Sequence, residues 1–207
     1  MTGVIALQGG GPFELNDDLD QRLIGAAGAD RVVVLPTADA FEEPATLVVA
    51  AMSWAERLEI DVDALMVMQR HDAEDEGAAE VVRSARAVYL VGDSSMHLRS
   101  ALKDTPVLAA IGDVLAAGGL VAAVGSSASA LCDPMLDQRG GAFTLGLGLV
   151  SGVAVVPGVE AWSEEMRSRT LSLANTPLVE LPTGSALLRS DDGWELVGEP
   201  TVHGDLP

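Results

Sequence analysis

The sequence predicts an α/β fold in which a mostly parallel central sheet is covered by helices on both faces. Short runs of valine, leucine and alanine alternate with segments of helical periodicity along the chain. Each run is apolar throughout rather than at every second residue, which is typical of strands buried on both faces. Because each helix carries the chain back to the start of the next strand, such strands pair in parallel. The expected architecture is a three-layer sandwich.

Four of the five strands predicted in the first two thirds of the chain are followed by a polar, proline or glycine turn. The five strands are Val4–Leu7, Arg31–Leu35, Ile60–Met66, Ala87–Val91 and Val121–Val124. Ligands of parallel sheets bind beyond the carboxyl ends of the strands. We therefore expect four turns to form one rim: Gly9–Gly11, Thr37–Asp39, Gly92–Ser95 and Ser126–Ser129.

Helices are predicted wherever apolar side chains recur at spacings of three and four residues. They cover Leu15–Ile24, Glu43–Leu58, Asp72–Ala85, a segment through Leu98 and Leu102, a segment from Thr105-Pro106, Ala128–Leu136, and Glu160–Leu173. Further strands are expected over Val153–Val156 and Pro177–Pro182, and a small C-terminal hairpin over Ala186–Val197. The turn Asp191-Asp192-Gly193 favours that hairpin.

Composition favours a single domain over residues 1–207. The chain is 48% hydrophobic, and this length is sufficient for one full core. No apolar run reaches the roughly 18 residues of a membrane span, and no basic segment precedes an apolar one at the N-terminus. We therefore expect a cytoplasmic protein without membrane contacts. The single Cys132 excludes an internal disulfide and a cysteine-rich metal site, and we expect neither a metal nor a cofactor.

The net charge of −19 comes from 31 acidic and 12 basic residues. Such a surface repels nucleic acid and anionic lipid, so neither is expected as a partner. The acidic residues are spread along the whole chain, which is typical of a solubility feature rather than of one cationic partner. The sequence leaves a homo-oligomer open.

The segment from Val121 to Ala130 has the pattern of a nucleophile elbow, in which a sharp strand-to-helix turn presents a serine. Such a turn would expose the Ser127 hydroxyl above the sheet in a strained backbone conformation. The N-terminal N–H groups of the next helix would then face any negative charge developing there. A turn of small residues with serine as a helix N-cap is the alternative.

Six blocks resemble the cyanophycinase and dipeptidase E serine peptidases, whose flavodoxin-like fold is that of the class I glutamine amidotransferases. The blocks are the glycine run after the first strand, Val33–Ala38, Val91-Gly92-Asp93, Gly125–Ala130, Gly146–Val150 and Gly184–Leu188. They are similar to the family's opening, its second strand, its G-G-D turn, its G-T-S-A-G-A elbow, its G-L-G-L stretch and its closing G-T-A-L hairpin. Together they cover nearly the whole chain.

This resemblance implies a serine peptidase that cleaves an acidic dipeptide or a related amide. Ser127 takes the nucleophile position, and the backbone N–H groups of Gly92 and Ala128 form the oxyanion hole. A small peptide or amide is the implied ligand. The residues implied at the substrate rim are Gly10, Gly11, Asp93, Ser126 and Ser129.

The family's histidine base has no counterpart. It belongs to a D-x-H-F segment before R-x-R, and the corresponding Pro157–Glu164, ahead of Arg167 and Arg169, contains no histidine. A serine without a neighbouring base is a weak nucleophile, so we expect impaired catalysis. Two functions stay open: a hydrolase with another base, and a non-catalytic ligand-binding or regulatory protein that uses the same rim.

Several side chains are candidates for a replacement base. His97 follows the Gly92 turn by about one helical turn, and Glu160 and Glu164 lie in the segment where the histidine is missing. A carboxylate can act as a base if burial raises its pKa. His71 and His203 are less favoured because they are predicted on a loop and an edge strand. Nucleotide binding by Gly9–Gly11 is disfavoured because no phosphate-loop lysine follows.

Overall fold

A computed structural model describes residues 3–207, and it confirms the α/β class. Its helices are α1 (Asp17–Ala27), α2 (Pro44–Leu58), α3 (Arg70–Ala73), α4 (Glu76–Arg83), α5 (Ser95–Leu102), α6 (Pro106–Ala116), α7 (Ser126–Leu131) and α8 (Glu164–Leu173). Its strands are β1 (Val4–Gln8), β2 (Arg31–Leu35), β3 (Asp61–Ala64), β4 (Ala87–Leu90), β5 (Leu120–Val124), β6 (Cys132–Asp133), β7 (Met135–Asp137), β8 (Ala142–Thr144), β9 (Val150–Ser151), β10 (Ala154–Pro157), β11 (Leu178–Leu181), β12 (Ala186–Ser190), β13 (Gly193–Val197) and β14 (Thr201–His203).

The central sheet has seven strands in the order β13-β12-β1-β5-β4-β2-β3. The strands from β1 to β3 in this order pair in parallel. The predicted hairpin forms as β12 and β13, and β12 joins the sheet antiparallel to β1. Since all the parallel strands end on the same side, the turns after β1, β2, β4 and β5 lie next to one another, as the rim prediction requires.

Both faces of the sheet are buried, which explains why its strands are apolar throughout. Alternate residues of each strand belong to separate apolar clusters: Ile5 and Leu7 pack on one face with α4 to α7. Ala6 packs on the other face with α1 and α2. Side chains alternate across a strand, so this division is the expected one. No helix within residues 3–207 is long and apolar enough to cross a membrane.

The helix after β5 is shorter than predicted. It ends at Leu131, and the apolar residues assigned to its continuation lie in strand β7. Pro134 is the physical reason, because proline provides no N–H and disfavours helical conformation in the residue before it. The helix predicted from Glu160 is also divided: a 3-10 turn covers Val159–Ala161 before α8 starts at Glu164.

A second, three-stranded sheet has the order β10-β11-β14. Strands β10 and β11 are parallel, and the N–H of Gly158 donates to the Leu181 carbonyl at 2.9 Å just beyond their paired ends. The third strand, Thr201–His203, lies at the edge of this sheet and confirms the edge strand predicted for His203. This sheet matters for the site because the residues that follow β10 and β11 reach the rim of the central sheet.

A buried polar network anchors the start of the rim. The carboxylate of Asp20, 2% exposed, accepts hydrogen bonds from Gln8 at 2.7 Å and Tyr89 at 2.8 Å. Asn16 donates to the Gln8 side chain at 2.7 Å. Burial raises the pKa of Asp20 to about 6, although the hydrogen bonds from Tyr89 and Gln8 act in the opposite direction. The network holds the last residue of β1 directly before the glycine run.

We expect Asp20→Asn to flatten the dependence of stability on pH. Because the pKa of Asp20 is raised in the folded state, its contribution is fully present below the unfolded pKa of about 4 and is lost as pH rises through about 6. Relative to the variant, the wild type should lose about 1 kcal/mol of unfolding free energy between pH 5 and pH 8. Urea unfolding at several pH values measures this difference, and parallel curves for the two proteins would contradict it.

Candidate ligand-binding site

The strand ends converge on a pocket of about 260 Å³. Its lining combines the turns after β1, β4 and β5 with the segments that follow β10 and β11. The residues are Gly9, Gly10, Gly11, Pro12, Gly92, Asp93, Val124, Gly125, Ser126, Gln138, Pro157, Gly158, Ala161, Trp162 and Thr183. A larger depression of about 750 Å³ lies between α1 and β13, and its lining shares no residue with this pocket. We place the candidate site in the smaller pocket because the turns after the parallel strands β1, β4 and β5 line it, and ligands of parallel sheets bind at such turns.

The sharp turn between β5 and α7 falls at Gly125. This residue has φ 63° and ψ −135°, and helical structure begins at Ser126. In a nucleophile elbow the residue at the strained turn carries the reactive side chain. Here it is a glycine. A Cβ added to Gly125 would find a single neighbour within 4 Å, the Asp93 Oδ1 at 3.9 Å, so the place of the missing side chain is open space.

The expectation of an exposed Ser127 hydroxyl at a strained turn is wrong. Ser127 is the second residue of α7, is fully buried, and donates from Oγ to the Gly92 carbonyl at 3.2 Å. Ser129 is also fully buried rather than on the rim, with its Oγ donating to the Val155 carbonyl at 3.1 Å. The reason is that the turn comes two residues earlier than predicted, which directs both hydroxyls into the protein.

Of the three serines at the elbow, Ser126 is the one that lines the pocket. It is 7% exposed, and its Oγ donates to the Gln138 Oε1 at 2.8 Å. A neutral amide oxygen accepts a hydrogen bond but does not take up a proton at ordinary pH. Gln138 therefore positions this hydroxyl without activating it as a nucleophile.

The predicted oxyanion hole is only partly in place. The Ala128 N–H already donates to the Gly125 carbonyl at 2.9 Å, and Ala128 is fully buried. Gly92 does line the pocket, at a φ of 118°. A Cβ at Gly92 would lie 2.6 Å from the Asp39 backbone nitrogen, so glycine is required for this close approach of two turns. The Asp93 N–H donates to Asp39 Oδ1 at 2.6 Å and joins the same turns.

The side chain of His97 is held outside the pocket. Its Nε2 lies 2.7 Å from the Met68 carbonyl, and its ring meets the edge of Phe41 at a centroid distance of 4.6 Å. The other histidines pair with carboxylates elsewhere: His71 with Asp72 at 2.8 Å, and His203 with Glu180 at 3.5 Å. Within residues 3–207, no histidine lines the pocket.

The two acidic candidates do not have the properties of a base. Glu160 accepts hydrogen bonds from the Thr183 N–H at 3.1 and 3.3 Å. Burial acts to raise the pKa of Glu160, but the hydrogen bonds from Thr183 and the backbone outweigh it and leave the pKa below its ordinary value. Glu164 lies exposed in the first turn of α8, where the helix dipole stabilises a negatively charged carboxylate. Burial raises the pKa of the Cys132 thiol to about 12, which keeps it unreactive.

Comparison with known proteins agrees with this fold. The model of peptidase family S51 matches residues 4–197. The chain belongs to this family. Its fold matches that of a peptidase from an acI-B1 Actinobacterium, with a TM-score of 0.87 and 24% identity over 98% of this chain and 90% of that one. A putative peptidase E protein from Listeria monocytogenes EGD-e matches with a TM-score of 0.69 and 16% identity over 98% of both chains. No curated protein sequence matches the chain.

The two arginines of the family's R-x-R segment do not reach the pocket. Arg167 forms a two-point ion pair with Glu180 at 3.0 and 2.7 Å, which lowers the pKa of that carboxyl. Arg169 donates to the Gly140 carbonyl at 3.0 Å. Asp93 is therefore the charged residue of the lining, and within residues 3–207 no basic side chain accompanies it there.

Sequence reasoning missed half of the pocket. Gln138, Trp162 and Thr183 belong to it, together with Gly158 and Ala161 of the segment in which the histidine of the S51 peptidases is missing. One signal was available for Gly158, which comes two residues after the predicted apolar strand Val153–Val156. Gln138 and Thr183 lie on loops whose path depends on the second sheet, and no local sequence pattern identifies these two residues as part of the pocket.

From the geometry of the turns, we predict different losses of unfolding free energy for two matched glycine variants. Gly125→Ala should lose about 1–2 kcal/mol of unfolding free energy, because its φ is positive but its surroundings are open. Gly92→Ala should lose about 3 kcal/mol or more, because the new Cβ also overlaps the backbone of Asp39. Chemical denaturation measures both. An equal or reversed order would contradict this description of the rim.

Proposed function

We propose that this chain is a non-catalytic member of peptidase family S51 that binds a small peptide or amide in the pocket at the strand ends. The observation that carries the proposal is Gly125 at the strained turn, where a serine hydrolase of this design has its nucleophile. A glycine supplies no attacking group. The buried hydroxyl of Ser127 donates into the protein and does not replace it.

The absence of the family's histidine supports the same conclusion independently. Nucleophilic catalysis by serine needs an acceptor for the hydroxyl proton within hydrogen-bond reach. The segment that provides the family's histidine contributes Pro157, Gly158, Ala161 and Trp162 to the lining, none of which accepts a proton. Restoring one of the two groups would still leave the other missing, which makes efficient hydrolysis by this chain implausible on chemical grounds.

Retention of the pocket supports binding rather than a purely structural role. Its volume of about 260 Å³ is close to the lower limit of about 300 Å³ for ligand pockets, so a ligand of amino-acid or dipeptide size fits. Backbone groups of the glycine turns, the Ser126–Gln138 pair and Thr183 supply polar contacts around one aromatic side chain, Trp162. Cytoplasmic location stays a prediction from the sequence, which leaves a homo-oligomer open.

We expect binding without turnover for simple dipeptide amides. Ala-Ala-NH2 and its N-acetyl derivative should be tested by isothermal titration calorimetry at pH 7, and at least one of them should bind saturably in the micromolar to millimolar range. After a day with a stoichiometric amount of protein, mass spectrometry should recover the bound compound intact, because no nucleophile and base attack it.

A blocking variant locates the binding. Thr183 is exposed on the lining, so Thr183→Trp should fill the pocket and abolish binding while the fold is kept. Thr201→Trp, an exposed position on β14 away from the lining, is the matched control and should bind as the wild type does. Cleavage of either compound by the wild type would replace the proposal with a hydrolase, and absence of all binding would refute the binding function.

A further inference from the structure

The charge of the pocket indicates which ligand it takes, and this inference rests on the proposed binding function. The resemblance to aspartyl dipeptidases leads one to expect an acidic ligand, which needs a cationic side chain in the site. Within the part of the chain that the structure describes, the lining holds none. Both arginines of the R-x-R segment are engaged elsewhere, one by Glu180 and one by a backbone carbonyl.

Asp93 faces this pocket with an unneutralised carboxylate. More than a third of the residue is exposed, and no arginine, lysine or histidine of residues 3–207 forms an ion pair with it. Its Oδ1 lies 3.9 Å from where a Cβ on Gly125 would be. The glycine that removes the nucleophile therefore also leaves this oxygen open towards the floor of the pocket.

The surroundings of Asp93 favour a cation at this position. Partial burial, followed by the carboxylates of Asp39 and Glu42, raises the pKa of Asp93 above its ordinary value. The carboxylates of Asp39 and Glu42 add a negative potential at Asp93, and no basic side chain of residues 3–207 forms an ion pair with Asp93 to balance it. A positive group entering the pocket would relieve this repulsion. Trp162 in the same lining adds an aromatic ring, whose face attracts ammonium groups.

We propose that Asp93 binds the ammonium group of the ligand, so that the pocket selects small cationic amino-acid or peptide amides over neutral and acidic compounds. A free ligand carboxylate would find no basic side chain in the lining and would share the pocket with the like charge of Asp93. The favoured ligand accordingly has an amine and a neutral amide end.

Three probes of similar size separate the alternatives by calorimetric titration at pH 7 and low salt. They are Ala-Ala-NH2, which carries a positive charge, its neutral N-acetyl derivative, and the acidic dipeptide Asp-Ala. We expect Ala-Ala-NH2 to bind at least about tenfold more tightly than the acetylated compound, and Asp-Ala to bind most weakly. Raising the salt concentration should weaken the binding of Ala-Ala-NH2 because the contact is electrostatic.

Two charge-matched variants assign the effect to one carboxylate. Asp93→Asn should weaken the binding of Ala-Ala-NH2 about tenfold and change that of the acetylated compound by less than about twofold. Glu42→Gln removes the same charge close by but outside the lining, and should change both affinities by less than about twofold.

The outcomes distinguish this inference from the function on which it rests. Equal affinity for the charged and acetylated amides, preference for Asp-Ala, or an unchanged Asp93→Asn variant would overturn the role of Asp93 while leaving a binding protein. Absence of binding by all three probes would overturn the proposed function itself, and the role of Asp93 with it.

Discussion

The pairing of β5 with β1 determines what this protein can do chemically. Val124 is aligned with Gln8, and the Gly125 N–H donates to the Gln8 carbonyl at 3.0 Å as the last contact before the chain turns. This contact decides that the strained turn falls at Gly125 and that Ser126 and Ser127 belong to the helix. If β5 ended two residues later, Ser127 would occupy the turn and present its hydroxyl to the pocket. Under the proposed function, this ladder of backbone hydrogen bonds places Gly125, which has no attacking group, at the turn.

The residues that stabilise the fold differ from those that hydrolysis requires. Under the proposed function, this explains how the fold can persist without catalysis. The apolar clusters on the two faces of the sheet need volume and close packing, which the alternating strand residues supply. The rim needs glycine where turns approach closely, and Gly92 meets that need against Asp39. Hydrolysis additionally needs a hydroxyl and a base at two positions on the rim. Losing those two groups changes neither the packing nor the turns.

Most of the architecture could be predicted from the sequence because it rests on local patterns. Apolar runs located the central strands to within a few residues, and the family resemblance was confirmed. The turn was misplaced because Gly125, Ser126 and Ser127 are all residues that a turn accepts, and the choice between them depends on pairing with a distant strand. The position of the His97 ring was misjudged for a related reason. Helical spacing gives the distance of His97 from Gly92, but the direction of its side chain depends on its contacts with Phe41 and the Met68 carbonyl. A positive φ favours glycine over serine, and that preference was the one local indication of the true turn.

Intact-mass spectrometry after incubation with a fluorophosphonate measures whether the elbow carries a reactive hydroxyl. The wild type should acquire no adduct over hours at neutral pH. Gly125→Ser combined with Gly158→His, which returns a hydroxyl and an imidazole to two open positions of the lining, serves as the comparison and should acquire one adduct per chain, at position 125. Rapid formation of one adduct per wild-type chain, mapped to Ser126 or Ser127, would show that a serine of the elbow is reactive and would contradict the proposed loss of the nucleophile.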